Sequence, residues 1–344
     1  MFEYIGAIHM HSVFSDGTGQ ADEIAGYANE LDLDYIILTD HNTMRAFDEG
    51  FEKYYGNTLM LVGCEINDKE NLNHYLAMRI NKPVSTRLPA IEYVKKVKEL
   101  GGIGFIAHPH EKRSRFDDHP PYPWNAWDAD DFNGMEIWNH MSEWIEGLTE
   151  ENKFTHFIHP LKTIEKPAAE TLVKWDELNL RRKVVGIGGV DAHAHKVNFM
   201  GIMFEIFPYK VLFKAVRTHV LTEKKLSKSD TENDKMLIYS ALEQGRCFFA
   251  NNYIHSAAGF RFFAEKDKLK YNMGDEIPGT GKTKLKVILP KVDGEIRLIH
   301  NGKMVDSVIN SECEFFVEKK GIYRVEIFYQ NRAWIFSNHI RIGM

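Results

Sequence analysis

Imidazoles and carboxylates recur in this 344-residue chain at the ends of short apolar segments. His9 and His11 close the first, with Asp16 just beyond. Asp40 and His41 close the second. Glu65 closes the third, and His74 opens the segment that follows. His108 ends another in His108-Pro109-His110, and Asp191 and His193 end a later one in Gly189-Val190-Asp191-Ala192-His193. These side chains ligate divalent cations. In His-x-His, residues i and i+2 share a strand face, so both imidazoles can reach one ion. Carboxylates among them offset the charge and can bridge two ions. A single buried histidine is more often a hydrogen-bonded core residue than a ligand. Recurrence over five segments argues instead for one shared metal centre.

The elements that must bring these residues together follow from periodicity. Tyr4–His9, Tyr35–Asp40, Leu59–Glu65, His74–Arg79, Ile103–His108, Gly134–Trp138, Val184–Asp191 and Gly201–Phe207 read as strands. Helical patterns separate several of them, over Ala21–Leu31, from about Thr43 to Tyr54, and over Ile91–Leu100, which stops at Gly101-Gly102. Strand–helix alternation predicts a parallel sheet, and runs such as Tyr35-Ile-Ile-Leu38 predict strands buried on both faces. The number of repeats favours a closed barrel, with a doubly wound sheet as the alternative. In a barrel the strand C-termini converge on one face, where active sites are built. A further helix is expected over Asp234–Gln244, ending at Gly245. After about residue 280 the segments become short and turn-separated, and Asp293-Gly294 and Asn301-Gly302 are hairpin signals. The expected division is a barrel over residues 1–275 and a small antiparallel β-sandwich over 276–344.

Composition narrows the functional classes. With 43 basic and 49 acidic side chains the formal charge is -6, and no basic block appears, so stable nucleic-acid binding is not expected. Three scattered cysteines, Cys64, Cys247 and Cys313, form no disulfide framework and suit a reducing compartment. The N-terminus lacks a basic region followed by an apolar run, and no apolar run is long enough to span a bilayer. A cytoplasmic protein acting on a small molecule is expected, with no membrane partner. NAD and flavin have no supporting fingerprint.

The ordered set His9-Met-His11-Ser-x-x-Ser15-Asp16-Gly17, Thr39-Asp40-His41-Asn42, Glu65, His74, His108-Pro109 and Asp191-Ala192-His193 resembles the PHP (polymerase and histidinol phosphatase) family over roughly residues 4–195. That resemblance implies a distorted seven-stranded (β/α) barrel holding two or three ions of manganese, zinc or iron, and phosphoesterase activity. It implies that His9, His11, Glu65 and Asp191 hold one ion. Glu65 would bridge to a second, completed by His74 and His108, while Asp16, His41 and His193 would hold a third. Asp16 stands where some relatives carry histidine, which implies a harder or weakly held third ion. Asp40 would orient a liganding imidazole. Ala333-Trp-Ile-Phe-Ser-Asn338 and Ala241-Leu-Glu-Gln-Gly-Arg-Cys247 resemble a branch with a C-terminal β-sandwich, which includes metallohydrolases similar to carbaryl hydrolase.

The expected reaction is hydrolysis by a hydroxide held between two ions, with Asp191 and His193 as catalytic candidates and His193 or His195 protonating the leaving oxygen. The expected substrate is a small phosphomonoester, nucleotide or short oligonucleotide. A carboxylic or carbamate ester is the alternative, and a non-catalytic metal-binding scaffold is the alternative of a different class. Lys112 and Arg115, in the loop after His108, are candidates to grip a phosphate, and Trp138-Asn139-His140 are candidate pocket walls. Gly279-Thr-Gly-Lys-Thr283 lacks the first glycine of a P-loop, because position 276 is glutamate. His156 and His159 have no matching carboxylate, and His300 and His339 fall far from the cluster in sequence.

Overall fold

The computed structural model describes residues 1–113, 120–199 and 202–344. The first strands are β1 (Phe2–Ile8), β2 (Tyr35–Leu38), β3 (Thr58–Val62), β4 (Cys64–Ile66), β5 (Tyr75–Met78), β6 (Ile103–Ile106), β7 (Gly134–Asn139) and β8 (Val185–Gly189). A hairpin of β9 (His195–Phe199) and β10 (Ile202–Ile206) follows, then β11 (Val216–Thr222) and β12 (Cys247–Asn251). The helices that bear on the site are α1 (Ala21–Glu30), α2 (Ala90–Glu99), α3 (His140–Gly147), α4 (Lys153–Ile158) and α5 (Ala169–Asn179).

The protein is a mixed α/β fold whose site-bearing strands form two arcs rather than one hydrogen-bonded closed barrel. One arc runs β12-β11-β1-β2-β3 and the other β4-β5-β6-β7-β8. A single stretch of chain serves both, since β3 passes to β4 through Gly63. The opposite seam has no ladder. There the Thr218 hydroxyl of β11 donates to Gly188 O at 2.7 Å and accepts from Gly188 N–H at 3.0 Å, and Val190 N–H donates to Ile8 O at 2.9 Å. Alternate residues of both arcs, among them Ile8, Ile37, Leu61, Leu76, Phe105 and Ile187, share one buried core. Their neighbours Ala7, Ile36, Met60 and Ile106 belong to a second core that includes residues of α1 and α2.

Two expectations change. The sheet is not all parallel, because β5 runs antiparallel to both β4 and β6. Only residues 67–74 separate β4 from β5, too few for the helical crossover that a parallel neighbour needs. Of the segment expected as the last barrel strand, Ile202–Ile206 lies instead in the β9–β10 hairpin, and Gly201 lies outside the described residues. The place beside β1 is taken by β11, antiparallel, with Gly6 opposite Thr218.

From Arg261 onward the strands pair antiparallel, except that Glu276–Ile277 runs parallel to Ile340–Ile342, in two groups that share a core of Phe262, Leu285, Ile296, Val325, Trp334 and Ile340. One group is continuous with the first arc, because Arg332–Ser337 pairs with β12, Phe248 opposite Ser337. Asn338 fixes this joint by accepting from Gly186 N–H (2.7 Å) and donating to Gly186 O (2.8 Å) and Cys247 O (2.9 Å). Among the described residues no helix is long and apolar enough to cross a membrane.

Candidate metal centre

Nine residues flagged by the sequence converge at the C-terminal ends of the arcs: His9, His11, Asp16, His41, Glu65, His74, His108, Asp191 and His193. Local backbone turns their side chains inward. His9, His108 and Asp191 have φ of 70°, 25° and 54°, in or near the left-handed region that side chains other than glycine rarely adopt. Such strain persists only where the surroundings enforce it, and it concentrates at functional sites.

Glu65 is the hub. Its Oε1 lies 2.8 Å from His74 Nδ1 and 3.3 Å from His108 Nε2. Its Oε2 lies 3.0 Å from His9 Nε2, 3.1 Å from His11 Nε2 and 3.6 Å from His41 Nδ1. Asp191 Oδ1 lies 3.4 Å from Nε2 of both His9 and His11 and 3.6 Å from His193 Nδ1. At the outer edge, Asp16 comes within 3.4 Å of His193 Nε2 and 3.7 Å of His41 Nε2. The potential ligand atoms fall into four overlapping groups, each within 4.8 Å: His9/His11/Asp191, His9/Glu65/His108, His41/Glu65/His74 and His11/Asp16/His41/His193.

Burial and charge set the protonation of these groups. Burial alone raises Glu65 and Asp191, but the surrounding imidazoles, His9 first, hold both well below the usual carboxylate range. Burial lowers His9, yet Asp191, Glu65 and Glu136 outweigh it and push the ring well up. His11 rises to about 9 against burial because Asp191 and Glu65 face it, and His108 rises to about 9 with Glu111 and Glu65 as partners. His41 falls to about 3, mainly through burial.

A divalent cation fits this donor set. Buried nitrogens without a hydrogen-bond partner include both of His11, His41 Nδ1, His74 Nε2 and His108 Nδ1, and leaving such groups unsatisfied costs about 1–3 kcal/mol each. Among the described residues no lysine or arginine pairs with Glu65, Asp191, Asp16 or Glu136. A bound cation would take the place of the protons that the acids otherwise hold on His9, His11 and His108.

The supporting contacts include residues the sequence reading passed over. Glu136 accepts or shares a proton with His9 Nδ1 at 3.0 Å and accepts from His108 N–H at 2.9 Å and Asn139 Nδ2 at 2.8 Å. Asn139 also reaches Asp191 Oδ2 at 3.3 Å and caps α3 by accepting from Ser142 N–H. Glu136 fits only because position 189 is glycine; a Cβ there would lie 1.8 Å from Oε1. An acid in the middle of Gly134-Met-Glu-Ile-Trp138 was the available signal, since a carboxylate is buried in a strand only when partnered. The Tyr209 hydroxyl joins two ligand loops by donating to His11 O (2.6 Å), with His193 O at 3.1 Å. Tyr122 stacks on His74, ring centroids 5.0 Å apart.

Other expected residues sit elsewhere. Among the described residues Asp40 makes no hydrogen bond or ion pair to an imidazole; it accepts from Ser12 N–H, Ser12 Oγ and Ser15 Oγ, each at 2.7 Å. It therefore shapes the loop between His11 and Asp16. Lys112 is half exposed and bound to Glu170 at 2.7 Å. Arg115 lies outside the described residues. His110 bonds Thr171 Oγ1 at 3.1 Å, away from the cluster, while His195 stacks on His193 at 5.0 Å.

With this geometry in view, residues 7–110 match the PHP domain family. That match covers less than a third of the chain, in its N-terminal part. The match spans every ligand candidate from His9 to His108, while Asp191 and His193 lie beyond it. An uncharacterised protein of Methanocaldococcus jannaschii, MJ1587, is 28% identical over 99 residues, covering 28% of this chain and 56% of that protein. The match thus spans only about half the length of that relative. Among solved structures, a two-domain protein from Bacteroides vulgatus, named as containing a predicted PHP-like metal-dependent phosphoesterase, is 15% identical with a TM-score of 0.47, covering 98% of this chain and 95% of that one. An amidohydrolase from Chromobacterium violaceum, solved with sulfate and no metal, is 14% identical with a TM-score of 0.35, covering 59% and 92%.

Proposed function

We propose that this chain is a metal-dependent hydrolase and that its substrate is a small phosphomonoester. The observation that carries the reading is the set of buried, unpartnered imidazole nitrogens around Glu65 and Asp191. His9, His11 and Asp191 form one binding group and His41, Glu65 and His74 another, with Glu65 Oε1 facing His74 and His108 and its Oε2 facing His9, His11 and His41. Bound divalent ions would lower the pKa of water towards about 7 and offset charge developing on substrate oxygens. Glu136 holds the His9 ring from behind, so that Nε2 faces the cluster. Asp16 is half exposed, so the outer group with His41 and His193 suits a loosely held third ion. When that third ion is absent, a protonated His193 would donate from Nε2 to the leaving oxygen, its Nδ1–H being held by Asp191 O at 3.0 Å.

Cleavage of a carboxylic or carbamate ester is the second reading. It is favoured by the engagement of Lys112 with Glu170 and of Arg113 with Glu111, which leaves neither of these side chains uncommitted for a phosphate. Manganese-reconstituted protein offered an aryl phosphomonoester and an aryl carboxylic ester separates the two. We expect phosphatase turnover that falls by about a thousandfold or more in Asp191→Asn, the several kcal/mol that metal chemistry contributes. Ester cleavage alone would transfer the chain to the second reading. Silence on both substrates with metal bound would favour a scaffold.

A further inference from the structure

A cavity of about 590 Å³ opens beside the cluster, and His108, Glu136 and Asn139 border both. That volume suits a small ligand. Its far wall comes from α3, α4 and the start of α5. Several donors on this wall are already engaged. Lys112 Nζ is held by Glu170 at 2.7 Å, Trp138 Nε1 donates to Glu143, and Asn139 Nδ2 is shared by Glu136 and Asp191. Among the described lining residues Lys112 already answers Glu170, and Glu146, Glu165 and the buried Glu143, whose carboxyl burial pushes up to about 7, face the single remaining cation Lys166.

A second observation is independent of that charge balance. His156 lines the same cavity, is only 7% exposed, and has no hydrogen-bond partner on either ring nitrogen. Beside it Gly147 leaves open a space that a Cβ would fill, 3.1 Å from Nε2. Burial lowers the pKa of His156, so its ring stays neutral near pH 7 and offers an acceptor lone pair.

We infer that this cavity binds the non-reacting end of the substrate and that this end is a donor-only cation, an alkylammonium or guanidinium group. The inference rests on the hydrolase reading for the position of that group beside the scissile bond. An ammonium has donors and no acceptor, the complement of a carboxylate-rich wall with a neutral imidazole. A second phosphate there would meet like charge, whereas a neutral alcohol would gain no Coulomb attraction.

The test uses the metal-loaded full chain and three probes of equal length, n-butylammonium, n-butanol and butyrate, titrated by calorimetry or NMR. Butylammonium is expected to saturate the site about tenfold or more tighter than butanol, as one charge-assisted hydrogen bond provides, and butyrate, whose carboxylate can ligate the metal centre, is expected not to displace butylammonium. His156→Phe, and Gly147→Ala, which fills the space without removing charge, should each weaken butylammonium by about tenfold. His156→Gln, which keeps an acceptor, should retain most of the affinity. Metal content equal to that of the parent protein reports that each variant is folded. Equal affinity for butanol and butylammonium, or binding unchanged by both His156→Phe and Gly147→Ala, would overturn the assignment. Butylammonium binding as expected, with no turnover of either aryl ester, would support the cation site and remove the hydrolase reading instead.

Discussion

Asp176 and Asp191 are both buried carboxylates among histidines, yet only Asp176 has an arginine. Arg324 grips Asp176 bidentately, Nε to Oδ1 and Nη2 to Oδ2, each at 2.8 Å, and His339 Nε2 meets Oδ1 at 2.7 Å. These contacts tie α5 to the C-terminal strands, and the countercharge is built into the chain. Around Asp191 and Glu65 the acids face imidazoles and the Asn139 amide, and several of those imidazole nitrogens have no partner. A structural ion cluster contains its own cation, whereas a metal centre leaves room for one. The difference separates the two kinds of site where composition does not, since both mix histidine with acids.

The largest effect expected from breaking the comparison is on the structural side. Arg324→Met leaves Asp176 buried without its cation and should cost about 3–5 kcal/mol of folding stability. Denaturant unfolding of the metal-loaded protein measures it, and metal stoichiometry should not change. Loss of metal along with stability would mean that the two clusters are not separable.

Next comes the support behind a ligand. Glu136→Gln removes the charge that faces His9 Nδ1 while keeping the shape, and it should weaken metal binding by about 10–100-fold. Competition with a chelator reads this directly. Unchanged affinity would make Glu136 a packing residue.

The smallest effect concerns acid. Burial raises the Asp176 pKa, but Arg324 and His339 overcome it and hold the carboxyl well below its ordinary range. A depressed folded-state pKa gives stability that is present above the unfolded value of about 3.9 and lost as pH falls below it. The acid limb of the stability profile should therefore flatten below about pH 4 in Asp176→Asn. An identical limb in parent and variant would remove this carboxylate from the account.

Much of the metal cluster was legible because chemistry at strand ends is local in sequence: His9-x-His11, Asp40-His41, His108-Pro109 and Asp191-x-His193 each declare themselves within a few residues. Their supports were not. Glu136 gains meaning only when Gly189 lets it approach His9 across three strands, and Tyr209 only when its hydroxyl reaches two loops. The resemblance implies that Asp40 orients an imidazole, whereas its carboxylate accepts from Ser12 and Ser15, partners that no local spacing announces. The barrel reading took strand–helix rhythm for a complete ring. It missed that residues 67–74 permit only an antiparallel return, and that Val216–Thr222, unassigned from its pattern, occupies the place beside β1.

The most direct test of the central claim is the metal content of the purified protein after reconstitution and exhaustive dialysis, in parent and Asp191→Asn, with circular dichroism on both. Two tightly held ions per chain in the parent are expected, with a third lost on dialysis, and at most one ion in the variant at unchanged secondary structure. A folded parent protein that retains no ion at any divalent metal tried would contradict it, and the cluster around Glu65 would then be an ion network without a cation.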